Sequence, residues 1–331
     1  MFSVIIPLYN KAPYIEKAIR SVAAQTCRDF ELIVIDDGST DIEAPQPPKG
    51  GARLSYANIE ELIGSKGRFV RQKNQGVSTA RNNGVKLAQY DYIAFLDADD
   101  WWAPTYLEEM KGLIEDFPEA GIYGSSYYKV KNKKNIIANI GVEPGFTKGL
   151  INYFQAYAKT MWMPLWTGAT IIKKSVFEEN NGFKPQLKLG EDFDLWVRIA
   201  MKYPVVFLNK PLAFYNQDVE QETRGVVDDK IYEPKTFMTF NFEFLADEEY
   251  KNKDLKLLLD KLRVISLLRY RLQGAYKKEV SSIISKVDFT KLDLKTYLIY
   301  NLPLVVVRIW FSFRKMGSRL KSLLRKNIYK I

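Results

Sequence analysis

The 331-residue chain contains no histidine and one cysteine, Cys27. The first absence excludes Ser-His-Asp and Cys-His nucleophilic centres, His-ligated zinc, and imidazole as a general base. Acid–base chemistry near neutral pH then falls mainly to Asp, Glu, Lys or Tyr. A lone cysteine forms no internal disulfide and fits a reducing compartment. No basic leader or small-residue cleavage site precedes the first strand-forming residues at Phe2, so a cytoplasmic protein is expected. Long apolar runs are also missing. Tyr297 to Phe313 is the nearest to one, but it is short and carries Asn301, Pro303 and Arg308. An Arg near a bilayer centre costs roughly 2.5–3.5 kcal/mol, so no membrane span is expected. Internal repeats and low-complexity tracts are absent as well.

What the chain does have is apolar content of 47%, enough for a packed core, and an excess of positive charge. The formal net charge is +10, with a pI near 9.3, which favours acidic partners such as nucleotides or phospholipid headgroups. Its length suits one large α/β domain plus an appendage, or two small domains.

The acids gather in three places. Tyr92 to Leu96 reads as a buried strand, and it ends in Asp97, Asp99 and Asp100. Like charges crowded at a strand end need a cation, and two hard oxygen ligands on one turn suit Mg²⁺ or Mn²⁺ beside a diphosphate. Ser3 to Leu8 and Glu31 to Ile35 read as two further strands, joined by a helix that Pro13 opens and that runs to about Gln25. The second of these strands ends in Asp36 and Asp37. Strand–helix–strand implies a parallel sheet, which puts both acidic ends on one rim, where α/β ligands sit. Next, Gly76 can turn the chain and Ser78 can cap a helix that carries Arg81, a natural anion site. The third cluster, Glu191 and Asp192, is placed at a helix N-terminus, where the dipole favours ionised carboxylates.

Elsewhere the pattern is less specific. Ile42 to Gly67, rich in Pro and Gly, reads as a surface excursion. Val205–Leu208 and Leu212–Tyr215 read as two short strands. Tyr153 to Trp166 is aromatic and suits either sugar stacking or core packing. A helical stripe runs through Leu258, Leu259, Leu262, Ile265 and Leu268. From Ile309 onward Phe313, Met316, Leu320, Leu324 and Ile328 recur at helical spacing opposite an arc of Lys and Arg without acids. That composition suits an amphipathic helix lying on an anionic membrane, the alternative being a helix docked on the main domain. Three regions are therefore expected: 1–217 catalytic, 218–296 mainly helical, and 297–331 membrane-associating.

Five motifs occur in order: Ser3-Val-Ile-Ile-Pro-Leu-Tyr-Asn10, Val34-Ile-Asp-Asp-Gly-Ser-Thr-Asp41, Asn74-Gln-Gly-Val-Ser-Thr-Ala-Arg-Asn82, Phe95-Leu-Asp-Ala-Asp-Asp100 and Gly190-Glu-Asp-Phe-Asp-Leu-Trp196. Each is weak alone, but the ordered set resembles the family 2 nucleotide-sugar glycosyltransferases of GT-A fold, over about residues 2–215. The resemblance implies an α/β, Rossmann-like and mostly parallel sheet flanked by helices, with a helical C-terminal extension. It implies that Pro7, Tyr9 and Asp37 contact the nucleoside, that Arg81 and Asp97 belong to the donor site, and that Asp99 with Asp97 holds Mg²⁺ or Mn²⁺. Asp192 matches the catalytic base, with Glu191 beside it. The Gln-x-x-Arg-Trp signature of processive synthases is missing. A single inverting addition is therefore implied, from a UDP-sugar to a glycan or lipid-linked acceptor, in cell-surface polysaccharide synthesis at the cytoplasmic membrane face. Two alternatives are a non-catalytic membrane-tethered sugar-nucleotide module and a nucleotidyltransferase. The second would need a Gly-rich, Arg/Lys-bearing loop after the first strand. A nucleic-acid partner is not expected, because much of the positive excess sits in the C-terminal segment.

Overall fold

The computed structural model describes residues 1–42, 55–219 and 230–311. Two compact units are present, residues 1–244 and residues 245–331. The first is built on a ten-stranded sheet. Its strands are β1 (Phe2–Leu8), β2 (Phe30–Asp36), β3 (Gly67–Arg71), β4 (Tyr92–Phe95), β5 (Trp101–Trp102), β6 (Ile122–Lys131), β7 (Lys134–Ile137), β8 (Lys148–Ile151), β9 (Thr170–Lys173) and β10 (Val205–Asn216). They run in the order β3-β2-β1-β4-β9-β6-β10-β5, with β7 added to β6 and β8 to β10. The pairs β1–β2, β1–β4, β2–β3 and β6–β10 are parallel, whereas β9 is antiparallel to both its neighbours. Strands β1, β2, β3, β4, β6 and β10 therefore point the same way, and their carboxyl ends share one rim.

The helices of this unit are α1 (Ala12–Ala23), α2 (Tyr56–Ile63), α3 (Val77–Leu87), α4 (Tyr106–Asp116), α5 (Tyr153–Thr160), α6 (Lys174–Glu179) and α7 (Glu191–Ala200). Pleating divides β1 between the two faces of the sheet. Val4 and Ile6 join a core with Ile15, Ile19 and Val22 of α1 and with Leu107, Met110 and Leu113 of α4. Ile5 faces α3, where Gly84 permits close approach: a Cβ there would meet the Ile5 Cγ2 at 2.4 Å. Full burial of every β1 residue explains its unbroken apolar sequence.

Several expectations need correction. Val205 to Asn216 is one strand, not two. Pro211 has no N–H to donate, so the pairing with β6 shifts register between Leu208 and Ala213 while the chain continues. Ser78 is not a helix cap. Gly76, with φ of +90°, holds the cap position, and the buried Ser78 hydroxyl has no hydrogen-bond partner among the described residues. The excursion after Ile42 contains helix α2, started by reciprocal hydrogen bonds between Ser55 and Asn58 that replace the missing helical partners. Residues 43–54 of that excursion lie outside the described residues. Tyr153, Tyr157 and Trp166 are buried in the core, while Trp162 stays half-buried under the Lys129 ammonium, 4.1 Å from the ring centre.

The second unit comprises α8 (Ala246–Lys251), α9 (Lys253–Gln273), α10 (Lys277–Ile284) and α11 (Leu294–Asn301), with residues 304–311 also helical. In α9 the buried face carries Leu255, Leu258, Leu259, Leu262, Val264, Leu267 and Tyr270, while Ile265 is 57% exposed. The face includes charged Asp260 and Arg263, which satisfy each other at 3.2 Å, with Glu249 on the second Arg263 nitrogen at 2.7 Å. The expected stripe holds at Leu258, Leu259 and Leu262, which are buried, and at Leu268, which packs against the core, and fails at Ile265. No helix among the described residues is long and apolar enough to cross a membrane. The amphipathic pattern beyond Ile309 falls mostly on residues 312–331, outside the described residues.

Candidate active site

The rim opens where β1 and β4 part. Their last paired residues are Ile5 and Phe95, so Pro7 lies beyond the ladder and its missing N–H breaks no rung. Pro7 is buried and Tyr9 is 48% exposed. Asp37, at the end of β2, is buried and tied to the segment that leads into α3. One of its oxygens accepts from the Gln72 side chain (2.7 Å) and the Gln75 amide (2.9 Å), the other from the Gly76 amide (2.7 Å). Its first role in this fold is therefore to hold the Gln72–Gly76 loop against the rim.

The turn after β4 presents the densest charge. Asp97 accepts from Arg81 at 2.7 Å and keeps 30% of its side chain exposed. Asp99 is ion-paired with Lys11, with 17% exposed. Asp100 is buried and accepts from the Asn216 amide at 2.7 Å, which pins the turn to the end of β10. Burial drives the Asp99 carboxyl upward from its ordinary pKa, Lys11 opposes that rise, and Asp97 adds to it. Asp100 lies well above the carboxylate range, first through burial and then through Asp99 and Asp97.

Arg81, on α3, crosses the rim. Besides Asp97 it donates to Glu191 at 3.1 Å, and its side chain is 5% exposed. Burial pulls the guanidinium pKa down, but Asp97 and Glu191 outweigh burial and the net shift is upward. A buried Arg between two carboxylates from distant segments acts as a clamp.

Helix α7 begins behind Gly190, whose left-handed φ of +82° and contact with Met238 admit no side chain. Its first turn holds Glu191 and Asp192. Glu191 is committed to Arg81. Asp192 accepts from the Phe193 amide at 2.7 Å, and part of its surface stays open. Burial pushes its carboxyl up to about 7, Glu191 adds to the rise, and the Phe193 amide and Arg81 oppose it. The buried hydroxyls of Tyr127, Tyr153 and Tyr157 feel its charge. A carboxylate poised near neutral pH suits a general base.

Among the described residues, no three His, Cys, Asp or Glu side chains converge as a metal cage. Two adjacent hard carboxylates nevertheless fit Mg²⁺ or Mn²⁺ of the kind completed by water and substrate phosphates. Asp97 and Asp99 would supply those oxygens, whereas Asp100 is spent on Asn216. Beside Asp99 a cleft of about 420 Å³ is lined by Tyr14, Lys17, Trp101, Lys133, Asn135 and Asp218. Of the expected site residues, Asp97, Arg81 and Glu191 are in direct contact with Asp192 adjacent, Asp99 is held separately by Lys11, Asp37 is tied to the Gln72–Gly76 loop, and Pro7 and Tyr9 lie at the end of β1. Lys11 and Asp100 are not legible from local pattern, since their partners lie 88 and 116 residues away.

The sheet order, the acidic rim and the cluster on α7 together define a GT-A-type α/β transferase fold. The chain belongs to glycosyl transferase family 2, whose sequence model matches residues 3–179. It is 30% identical over 339 residues to an uncharacterized glycosyltransferase of Rickettsia felis, covering 98% of this chain and 51% of that protein. The chain therefore spans about half the length of that relative. Staphylococcus aureus TarS 1–349, solved with UDP-GlcNAc, superposes with a TM-score of 0.67 at 20% identity, covering 88% of this chain and 82% of that one. The mannosyltransferase PcManGT of Pyrobaculum calidifontis, solved with GDP-Man and Mn²⁺, gives a TM-score of 0.50 at 16% identity, covering 99% and 81%.

Proposed function

We propose that the chain is an inverting glycosyltransferase that moves one sugar from a UDP-sugar to a hydroxyl of a glycan or lipid-linked acceptor. The observation that carries this reading is Asp192. It is a carboxylate near neutral pKa, placed beside an Arg81-clamped Asp97 on the rim where ligands of α/β sheets sit. Asp192 takes the acceptor hydroxyl proton. The acceptor oxygen bonds to the anomeric carbon as the bond to the diphosphate breaks, and the diphosphate leaves with the electron pair. Attack opposite the leaving group inverts the configuration, through a transition state of oxocarbenium character. Asp97 and Asp99 would hold Mg²⁺ or Mn²⁺, which when bound offsets charge on the leaving diphosphate. Pro7, Tyr9 and Asp37 line the nucleoside side, Asp37 through the loop it secures.

The second part of the proposal is placement on the cytoplasmic face of an anionic membrane, through residues 297–331. Residues 294–331 contain nine lysines and arginines and no acid, against a whole-chain net charge of +10. In the described part of that stretch Leu294, Val305, Val306, Ile309 and Trp310 are exposed. Exposed apolar side chains in a stretch whose sequence has cations and no acids fit an interfacial element, each cation contributing about 1 kcal/mol near an anionic surface.

One vesicle experiment tests both parts. With a UDP-sugar, Mn²⁺ and a lipid-linked acceptor in phosphatidylglycerol-containing vesicles, the full chain is expected to give product of inverted anomeric configuration by NMR. A chain ending at Arg308 is expected to stay in solution when the vesicles are pelleted, yet to bind donor normally. Retained configuration contradicts the direct displacement. Loss of donor binding in a folded truncation contradicts the division of roles.

A further inference from the structure

Among the described residues at the rim, Lys11 has a backbone held on both sides and an ammonium paired with Asp99. Asn10, with φ of +49°, is secured by its side-chain oxygen accepting from the Thr40 amide (2.8 Å) and by its own amide donating to Ser39 (3.1 Å). On the other side the Ala12 amide donates to Asp41 at 2.9 Å. Between these anchors the Lys11 carbonyl accepts from Tyr14 and Ile15 in the first turn of α1. The backbone is fixed, and only the four-carbon stem and its ammonium can move. That ammonium sits on Asp99, largely shielded, with 14% of the side chain exposed.

Each carboxylate of the turn after β4 has its own donor: Arg81 for Asp97, Lys11 for Asp99, and the Asn216 amide for Asp100. These donors differ in what they can surrender. Arg81 is buried and bridges two acids, and the Asn216 amide belongs to the main chain. Only Lys11 is a flexible point charge on a single partner. A divalent ion on Asp99 would lie within a few ångströms of that ammonium, and the repulsion would expel it.

We propose that Lys11 is an exchangeable counter-ion. It neutralises Asp99 in the resting enzyme, yields Asp99 when a divalent cation binds, and then turns its ammonium to the donor diphosphate. The inference rests on the assignment of Asp99 as a metal ligand. Lys11 is a positioning residue with respect to the cation and a direct contact with respect to the leaving group. The arrangement keeps Asp97 and Asp99 paired with cations before substrate arrives, and it couples cation entry to the presentation of a further positive charge.

The exchange gives Lys11→Met two opposite effects, and neither readout involves turnover. Mn²⁺ alone, followed by the EPR signal of the free ion, is expected to bind Lys11→Met about tenfold tighter than wild type, because no ammonium competes for Asp99. UDP with Mn²⁺ at saturation, followed by calorimetry, is expected to bind Lys11→Met about tenfold more weakly. Lys11→Arg keeps a positive charge at this position and is expected to leave Mn²⁺ affinity at or below the wild-type level. Asp99→Asn is the reference for the site and is expected to lose Mn²⁺ binding. If Asp99→Asn loses Mn²⁺ while Lys11→Met binds it no tighter than wild type, the counter-ion role is overturned and the metal assignment stands. If Asp99→Asn binds Mn²⁺ as wild type does, both are overturned.

Discussion

Replacing Asp192 by Asn is expected to lower turnover by about 10²–10⁴-fold, with the affinity for UDP-sugar unchanged within a few-fold. Asn keeps the size and can still accept from the Phe193 amide, but it takes no proton. The wild-type kcat/KM is expected to rise with pH through about 7 and to level off above, because the base must be ionised to act. Glu191→Gln removes a negative neighbour that holds the Asp192 pKa up, so the rising limb should move to lower pH. The same shift has a consequence for stability. A carboxyl whose pKa is higher in the folded state than in the unfolded one binds its proton more tightly when folded. Its contribution is therefore fully present at low pH and is lost as pH rises from about 4 through about 7. Asp192→Asn lacks this loss, so it is expected to be more heat-stable than wild type at pH 8, with the gap closing on acidification. Unchanged turnover in Asp192→Asn would remove the base from the mechanism.

Arg81→Met is the second large expected effect. It leaves Asp97 and Glu191 facing each other across the rim without their shared donor. Breaking a buried pair by removing one partner costs about 3–5 kcal/mol, because the remaining charge stays buried. For a unit of this size the melting temperature should fall by roughly 10 °C. Arg81 also opposes the rise in the Asp192 pKa, so the pH limb of surviving activity should move upward. Arg81→Lys keeps the charge but not the fork, and one ammonium cannot reproduce the two-sided contact. It is expected to fall between wild type and Arg81→Met in stability. If Arg81→Met melts as wild type does, with an unmoved pH limb, the clamp is not a working part of the site.

The parts of this fold that could be read from residues alone are those carried by short-range physics. A buried strand that ends in carboxylates is visible in the nine residues Tyr92 to Asp100, and the strand–helix–strand unit before it implies a parallel sheet in which the acids after β2 share that rim. The acids on α7 were legible for the same reason, since the helix start at Gly190 and the apolar face that follows are both local. What could not be read was pairing across distance. Arg81 reaches Glu191 over 110 residues, and no local periodicity records that link. Asp37 looked like a free ligand group, yet its oxygens hold a loop that only the folded chain brings near. Lys11 stands next to a legible strand end, but its partner lies on another turn. Local errors had local causes. Pro211 suggests a break where a register shift suffices, and Ser78 offers a capping side chain two residues too late for a helix that Gly76 already starts.

The most direct test of the central claim is a thermal-shift screen of UDP, GDP and their sugar derivatives, with and without Mn²⁺, on wild type and Asp99→Ala. A ligand at 100 times its dissociation constant stabilises by about 2.7 kcal/mol, a readily visible shift. The expected result is a Mn²⁺-dependent shift with UDP and at least one UDP-sugar, absent in Asp99→Ala. A shift of equal size without metal, or one that survives in Asp99→Ala, would contradict a donor site built on Asp97 and Asp99.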